Sequence, residues 1–264
     1  MNKYIKILIA MLFMFYLTAC SQQDSSEGQK KNTGVDITVS AAASLNNALK
    51  EIKTEFEKNN KNIHISTNLG GTGALQQQII QGAPVDIFIS AAKDKFVTLI
   101  NKGLISKDKS KDLLGNELVL ITNKQNPAPI HSLEDLADSR VKKIAIGIPE
   151  SVPAGQYAMQ TLRKIRISEK IQPKIVQTKD VRQVLTYVET GSVDAGLVYT
   201  TDAKISTKVK TVAVAPSGSH DPIIYPAGII NESKHKKEAA IFFEFLQSKT
   251  AKKIFEKYGF NVLE

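Results

Sequence analysis

The sequence predicts an α/β fold arranged as two lobes with a ligand cleft between them, and three observations predict it. From Val35 onward, apolar runs alternate with segments at helical spacing, joined by turns that carry Ser, Gly or Pro, which is the sequence form of βαβ units. Two stretches read as crossings between sets of such units: one follows Leu114-Gly115-Asn116 and runs to Pro127-Ala128-Pro129, the other spans Ile223 to Ile230. The roughly 230 residues from Val35 suffice for two modest cores or one large one. The crossings divide the chain into lobe I, residues 35–115 plus 226–264, and lobe II, residues 116–225.

The elements follow in order. Val35 to Ser40 alternates as a strand, and Leu45, Leu49, Ile52 and Phe56 then form one stripe of a helix that starts near Ser44. A second strand, Ile63 to Thr67, leads through Gly70-Gly71-Thr72-Gly73 into a helix carrying Leu75, Ile79 and Ile80. Val85 to Ser90 is the next strand, and a helix from about Asp94 stops at Gly103. Glu117 to Thr122 is a long apolar strand at the start of the second set. Ser132-Leu133-Glu134-Asp135 has the form of a capped helix start, Lys143 to Ile148 that of a strand, and Pro153 stands where the first turn of a helix tolerates proline. After a short strand from Lys174 to Gln177, Asp180-Val181-Arg182-Gln183 has the capping-box arrangement ahead of Val184, Leu185 and Val188. Gly191 stops that helix. Ala195 to Tyr199 and Val209 to Ala215 are the last strands before the return crossing, and Ala239 to Leu246 and Ala251 to Tyr258 are closing helices.

The beginning of the chain has a different character. Lys3 and Lys6 give a positive start, Ile7 to Leu17 is an apolar run short for a membrane span, and Thr18-Ala19 supplies the small residues a signal peptidase needs. Ending on Cys20, the chain's only cysteine, this stretch resembles the lipobox of bacterial lipoproteins. The resemblance implies that residues 1–19 are a signal peptide and that Cys20 is acylated and becomes the first mature residue. It also implies a protein held on the outer face of the bacterial cytoplasmic membrane. Ser21 to Gly34, with no apolar side chain of any size, completes a flexible tether over 20–34. A single thiol excludes a disulfide within the chain.

Composition and motifs exclude several function classes. Loss of residues 1–19 removes two lysines and no acid, so the net charge falls from +9 to +7. The lysines are spread over helix faces and loops without interleaved aromatics, which reads as a solvated surface and not as a nucleic-acid site. Such an excess still raises the encounter rate with anions. His64, His131, His220 and His235 have no partners at metal-ligand spacing, and there is no nucleophile elbow, Walker A sequence or dinucleotide fingerprint. No enzyme and no cofactor is indicated.

What remains is a set of four strand-to-helix turns built from small side chains and hydroxyls: Ala41 to Leu45, Gly71-Thr72-Gly73, Val152 to Gly155 and Asp180-Val181-Arg182. Turns of this kind bind anions through neutral donors at helix starts, although Ser44 is equally read as a plain N-cap and Pro153 as an ordinary helix opener.

In this order and at these separations the turns resemble the molybdate-binding proteins of ABC transporters. The match runs through AAASL at 41–45, QQI followed by GAPVDIFISA at 77–91, LLGN at 113–116, PESVPAGQYA at 149–158, DVR at 180–182, LVYTTDA at 197–203, YPAGII at 225–230 and IFEKYGF at 254–260. It covers nearly all of the chain from Val35. The resemblance implies a two-lobed type II periplasmic-binding-protein fold, each lobe a mixed sheet flanked by helices. It implies a monomeric solute-binding lipoprotein that captures molybdate, and tungstate with it, and delivers it to the permease and ATPase of an ABC transporter.

Carried over by position, the oxyanion would be held by Ser44 and Thr72 through hydroxyl and backbone N–H, by the N–H groups of Ala154 and Val181, and by the hydroxyl of Tyr199. Thr72 departs from the family, which has a serine there; the donor is kept and a methyl is added. Arg182 reads as support for its turn or the surface. Neutral dipoles at helix starts suit a desolvated dianion. Cavity size would reject sulfate, and the lack of an acceptor for its proton would reject phosphate. The alternatives are the same scaffold serving another oxyanion or a small organic anion, and a surface interaction module with a vestigial cleft.

Overall fold

The computed structural model describes residues 34–126, 128 and 130–264. The expected signal peptide, Cys20 and the tether through Thr33 lie outside the described residues, as do Pro127 and Pro129 of the first expected crossing.

Along the chain the elements are β1 (Val35–Ala42), α1 (Asn46–Asn59), β2 (Ile63–Gly70), α2 (Thr72–Ile80), β3 (Ile87–Ile89), α3 (Lys93–Asn101), β4 (Ile105–Gly115) and β5 (Leu118–Asn123). There follow β6 (Ile144–Gly147), α4 (Pro153–Lys164), α5 (Ser168–Ile171), β7 (Ile175–Thr178), α6 (Val181–Glu189), β8 (Ala195–Tyr199) and α7 (Thr200–Lys204). The chain closes with β9 (Val209–Val214), β10 (Ile224–Ile230), α8 (Lys236–Phe245), α9 (Lys249–Lys257) and β11 (Asn261–Val262). The strands form two mixed sheets, ordered β11-β4-β10-β3-β1-β2 and β7-β6-β8-β5-β9.

The two sheets repeat one plan. In the first, β1 pairs in parallel with β2 on one side and β3 on the other; in the second, β6 pairs in parallel with β7 and β8. Each parallel pair needs a helical crossover, and the helix spacing read from the sequence supplies it. Because the chain leaves the central strand in one direction and then returns to its other side, a crevice opens at the carboxyl ends of β1 and β6. Antiparallel strands complete each sheet, β10 between β3 and β4 in one and β5 between β8 and β9 in the other. The chain passes from the first sheet to the second at Asn116–Glu117, and back over residues 215–223, so that Ile224–Ile230, read from the sequence as part of the return crossing, is itself a strand of the first sheet.

Packing follows the apolar periodicity. Leu49, Ile52 and Phe56 of α1 are buried, each burial contributing about 1.5–3 kcal/mol, and Phe56 meets Phe242 of α8 edge to face at 4.9 Å. Ile37, Val39 and Ala41 of β1 have no exposure. The leading residues of β5, Leu118 to Thr122, are all buried, as a strand covered on both faces should be.

Three local readings differ. The sequence pattern gave no strand at β4, whose run ISKDKSKDLLG buries only Ile105, Leu113, Leu114 and Gly115. Ser132 and Asp135 do make cap bonds, Asp135 Oδ2 accepting from the N–H of Ser132 at 2.9 Å and of His131 at 2.8 Å. Yet only a 3-10 turn, Glu134–Ala137, follows, because Asp138 leaves helical geometry and its carboxylate accepts from the N–H of Arg140 at 2.8 Å. At α6, Asp180 caps the N–H of Gln183 at 2.9 Å, while Gln183 Oε1 reaches the N–H of Lys179, one residue further back than a capping box requires.

Candidate functional site

At the carboxyl ends of β1 and β6 lies a small cavity lined by Ser44, Thr72, Ala154, Val181 and Tyr199, with Ala42, Ala43, Gly70, Gly71, Ala91, Val152 and Pro153 filling its wall. Its enclosed space is about 10 Å³, far below the ~300–1,000 Å³ of sites that take organic ligands. A larger hollow at the opposite strand ends, beside Asp36, Asp86 and His235, offers little chemistry. The Asp86 carboxylate is already committed there, to the N–H of Thr38 at 2.8 Å and to Ser233 Oγ at 2.6 Å.

Each lining residue is placed by local structure. Ser44 sits in a 3-10 turn, Ala43–Leu45, between β1 and α1, and it makes no capping bond, so the plain N-cap reading does not describe it. Its hydroxyl is 2.9 Å from Tyr225 Oη. Thr72 is the first residue of α2 and has no exposure; its Oγ1 accepts from the N–H of Ala91 at 3.1 Å, which leaves its hydrogen to be donated elsewhere. Ala154 is the second residue of α4, behind Pro153, and Val181 the first of α6. Amides at these positions have no acceptor within their own helices.

Tyr199 ends β8 with 1% exposure; its hydroxyl interacts with that of Tyr225 but makes no hydrogen bond of full geometry. Burial first, and the neighbouring Tyr225 second, push the Tyr199 hydroxyl well above its ordinary pKa. Burial does the same to Tyr225. Both phenols therefore stay neutral donors.

The turn Gly71-Thr72-Gly73 lines the cavity with Gly71 and Thr72 and also makes a close backbone approach to the second sheet. The N–H of Gly73 donates to the carbonyl of Ser151 at 2.8 Å. A Cβ on Gly73 would stand 2.8 Å from Ser151 Cα, and one on Gly71 would stand 2.8 Å from the Lys179 carbonyl oxygen. Real side chains do not fit at such distances, so glycine lets the α2 turn press on the turns that open α4 and α6.

Arg182 also departs from its reading as turn or surface support. It does not line the cavity; its Nη2 donates to the Ser44 carbonyl at 2.9 Å and its Nη1 to Asn47 Oδ1 at 3.0 Å, while its Nε lies 2.7 Å from Asp202 Oδ1. The guanidinium thus ties α6 and α7 of the second sheet to the turn after β1 of the first. Asp202 is fully buried, and that burial pushes its carboxyl up to about 6 against the pull of Arg182. With Asp202 beside it, Arg182 brings little net charge toward the cavity. What the wall offers is a ring of neutral donors from two sheets.

Sequence reasoning missed Tyr225 and Asn116, which meet behind Ser44. Asn116 Nδ2 lies 3.2 Å from Tyr225 Oη and 3.0 Å from Thr201 Oγ1. Their motifs, YPAGII and LLGN, were visible, but neither residue carries a charge or a metal-ligand spacing that would have marked it.

Comparison with known proteins adds a family. Residues 37–261 match the model for bacterial extracellular solute-binding proteins. The chain is 51% identical, over 99% of its length and 99% of the relative's, to YvgL of Bacillus subtilis (strain 168), which bears the provisional name ABC transporter substrate-binding lipoprotein. It is 37% identical, over 85% of its length and 89% of the relative's, to the molybdate-binding protein ModA of Haemophilus influenzae. Among solved structures, the periplasmic molybdate-binding protein of Azotobacter vinelandii superposes with a TM-score of 0.78 over 86% of this chain and 100% of that one. At 22% identity that likeness speaks for the shared two-lobed fold alone.

Proposed function

The chain belongs to the bacterial extracellular solute-binding proteins, and from that premise we propose that it captures molybdate, and tungstate with it, for the permease and ATPase of an ABC transporter. The observation that carries the reading is the convergence of Ser44, Thr72, Ala154, Val181 and Tyr199 on one small buried cavity without a lysine or arginine in its wall. A tetrahedral dianion taken out of water needs several donors at once, and hydroxyls with helix-start amides supply them without burying a cation. In this reading the lobes, 35–115 with 226–264 and 116–225, close on the anion from either side. The small cavity argues against an organic anion, and support for molybdate comes from the relatives named for binding it.

The test is calorimetry with molybdate, tungstate, sulfate and phosphate on residues 34–264, which form one compact unit. A thousandfold excess of ligand over its dissociation constant should add ~4 kcal/mol of stability, so the melting temperature should rise with molybdate and little with sulfate. Ser44→Ala, Thr72→Ala and Tyr199→Phe each remove one hydroxyl facing a charged ligand and should each weaken molybdate binding by ~1.5–3 kcal/mol. Sulfate binding as tight as molybdate binding would reassign the ligand. Wild-type affinity in both Ser44→Ala and Tyr199→Phe would move the site.

We also place the protein on the outer face of the cytoplasmic membrane through a lipid on Cys20, a reading supported by the lipobox-like LTAC and by the lipoprotein name of the Bacillus subtilis relative. Growth with radioactive palmitate should label the wild type and leave Cys20→Ala unlabelled. An unlabelled wild type removes the anchor.

A further inference from the structure

LLGN at 113–116 and YPAGII at 225–230 supply none of the five residues assigned to the anion, yet their Asn116 and Tyr225 stand directly behind one of them. One direction of the hydrogen bonds in this group leaves no buried donor unpaired. Asn116 Oδ1 accepts from the N–H of Glu117 at 2.9 Å, so the end of the amide turned toward Tyr225 is Nδ2, which can only donate. It donates to Tyr225 Oη at 3.2 Å and to Thr201 Oγ1 at 3.0 Å. Tyr225 has a single hydroxyl hydrogen. Asn116 takes one lone pair of Tyr225 Oη, and either hydroxyl of the Tyr225–Ser44 pair, 2.9 Å apart, could donate; the arrangement that leaves no buried hydrogen unpaired has Tyr225 donating to Ser44 Oγ, with the Ser44 hydrogen released toward the cavity. Asn116, Thr201, Tyr225 and Ser44 are all buried, so no exchange with bulk water relaxes this order.

The geometry points to Asn116 and Tyr225 as positioning residues that fix the Ser44 hydroxyl as a donor, so that this corner of the cavity selects an oxyanion oxygen carrying no proton. The inference rests on the reading of Ser44 as an anion ligand. Its physical content is a polarity that can be inverted. Asn116→Asp keeps the shape but replaces the donor by a carboxylate; Tyr225 then donates to Asp, its oxygen takes the hydrogen of Ser44, and Ser44 turns a lone pair to the cavity. A hydrogen phosphate oxygen that carries a proton would be accepted there, and a molybdate oxygen repelled.

The experiment is a titration of molybdate and of phosphate against the wild type, Ser44→Ala, Tyr225→Phe, Asn116→Asp and the Tyr225→Phe/Asn116→Asp double variant. Tyr225→Phe, which keeps the ring, should weaken molybdate binding about tenfold and Asn116→Asp about a hundredfold. The ratio of molybdate to phosphate affinity should fall most in Asn116→Asp; a merely structural defect would lower both alike. In the double variant the relay is already cut, so Asp at 116 should cost no more than about threefold beyond Tyr225→Phe. An equal loss from Asn116→Asp in both backgrounds would assign the effect to charge acting through space and overturn the relay. Wild-type molybdate affinity in Tyr225→Phe would overturn it too, whether or not Asn116→Asp folds. Wild-type affinity in Ser44→Ala instead removes the reading of Ser44 as an anion ligand on which the relay rests, whereas a loss in Ser44→Ala with none in Tyr225→Phe removes the relay alone.

Discussion

Gly155→Ala should lower stability by ~2 kcal/mol or more, although the same change inside an exposed helix would raise it by ~1 kcal/mol. Gly155 is the third residue of α4, and a Cβ there would lie 1.9 Å from the carbonyl oxygen of Gly147 and 2.5 Å from its carbon. Both sides of that contact are backbone, so no rotamer change relieves it, and α4 must lift from β6. The helix-propensity gain is smaller than the overpacking cost, which sets the sign. For a protein of this size the melting temperature should drop by roughly 4–8 °C. Molybdate affinity should fall with it, since α4 carries the Ala154 amide into the cavity wall. An unchanged or higher melting temperature would show that α4 is free to move away from β6.

Val181→Pro should do the reverse, leaving the fold intact while weakening molybdate binding by about 10- to 100-fold. Val181 is the first residue of α6, where proline is favoured because the N–H has no partner within the helix. The preceding Asp180 is extended, with φ −160° and ψ 169°, the conformation proline demands of the residue before it. Its cap bond to Gln183 is untouched. The substitution therefore deletes one backbone donor and little else, something no side-chain truncation can do. Val181→Ile keeps the amide and should be nearly silent. Calorimetry on both variants decides: full affinity in Val181→Pro at an unchanged melting temperature would mean that this amide does not hold the anion.

How much of this was legible in the sequence depended on whether a residue's role left a local pattern. Strands buried on both faces, such as β5 and β8, announce themselves as apolar runs, β1 through its alternation, and α1 and α6 through their stripes. The turns at Ser44, Thr72, Ala154 and Val181 were visible because small residues at helix starts are chemically unusual. Contacts between distant segments were not. Arg182 and Asp202 are 20 positions apart, and Ser44 and Tyr225 are 181 apart, with no spacing rule to join them. Gly71 and Gly73 stood out as part of a small-residue turn, but sequence alone could not say that the backbone of Ser151 and Lys179 lies against them. The polar strand β4 left no signal, since its position in the sheet is set by pairing with β10 and not by burial of its side chains.

That same β4 has a consequence for how copies of the protein behave together. On one side it pairs along its length with β10; on the other, β11 pairs with Leu114 and Gly115 and the next residue, Leu263, donates its N–H to the Leu113 carbonyl. Upstream of those residues its outer N–H and C=O groups have no strand partner among the described residues, and an unpaired edge is a template for adding a foreign strand. Lys107, Asp108, Lys109, Lys111 and Asp112 stand along that stretch. A second copy laid against it would have to strip the water from these charged side chains, so the Lys and Asp that hid β4 from pattern reading also disfavour strand addition at this edge.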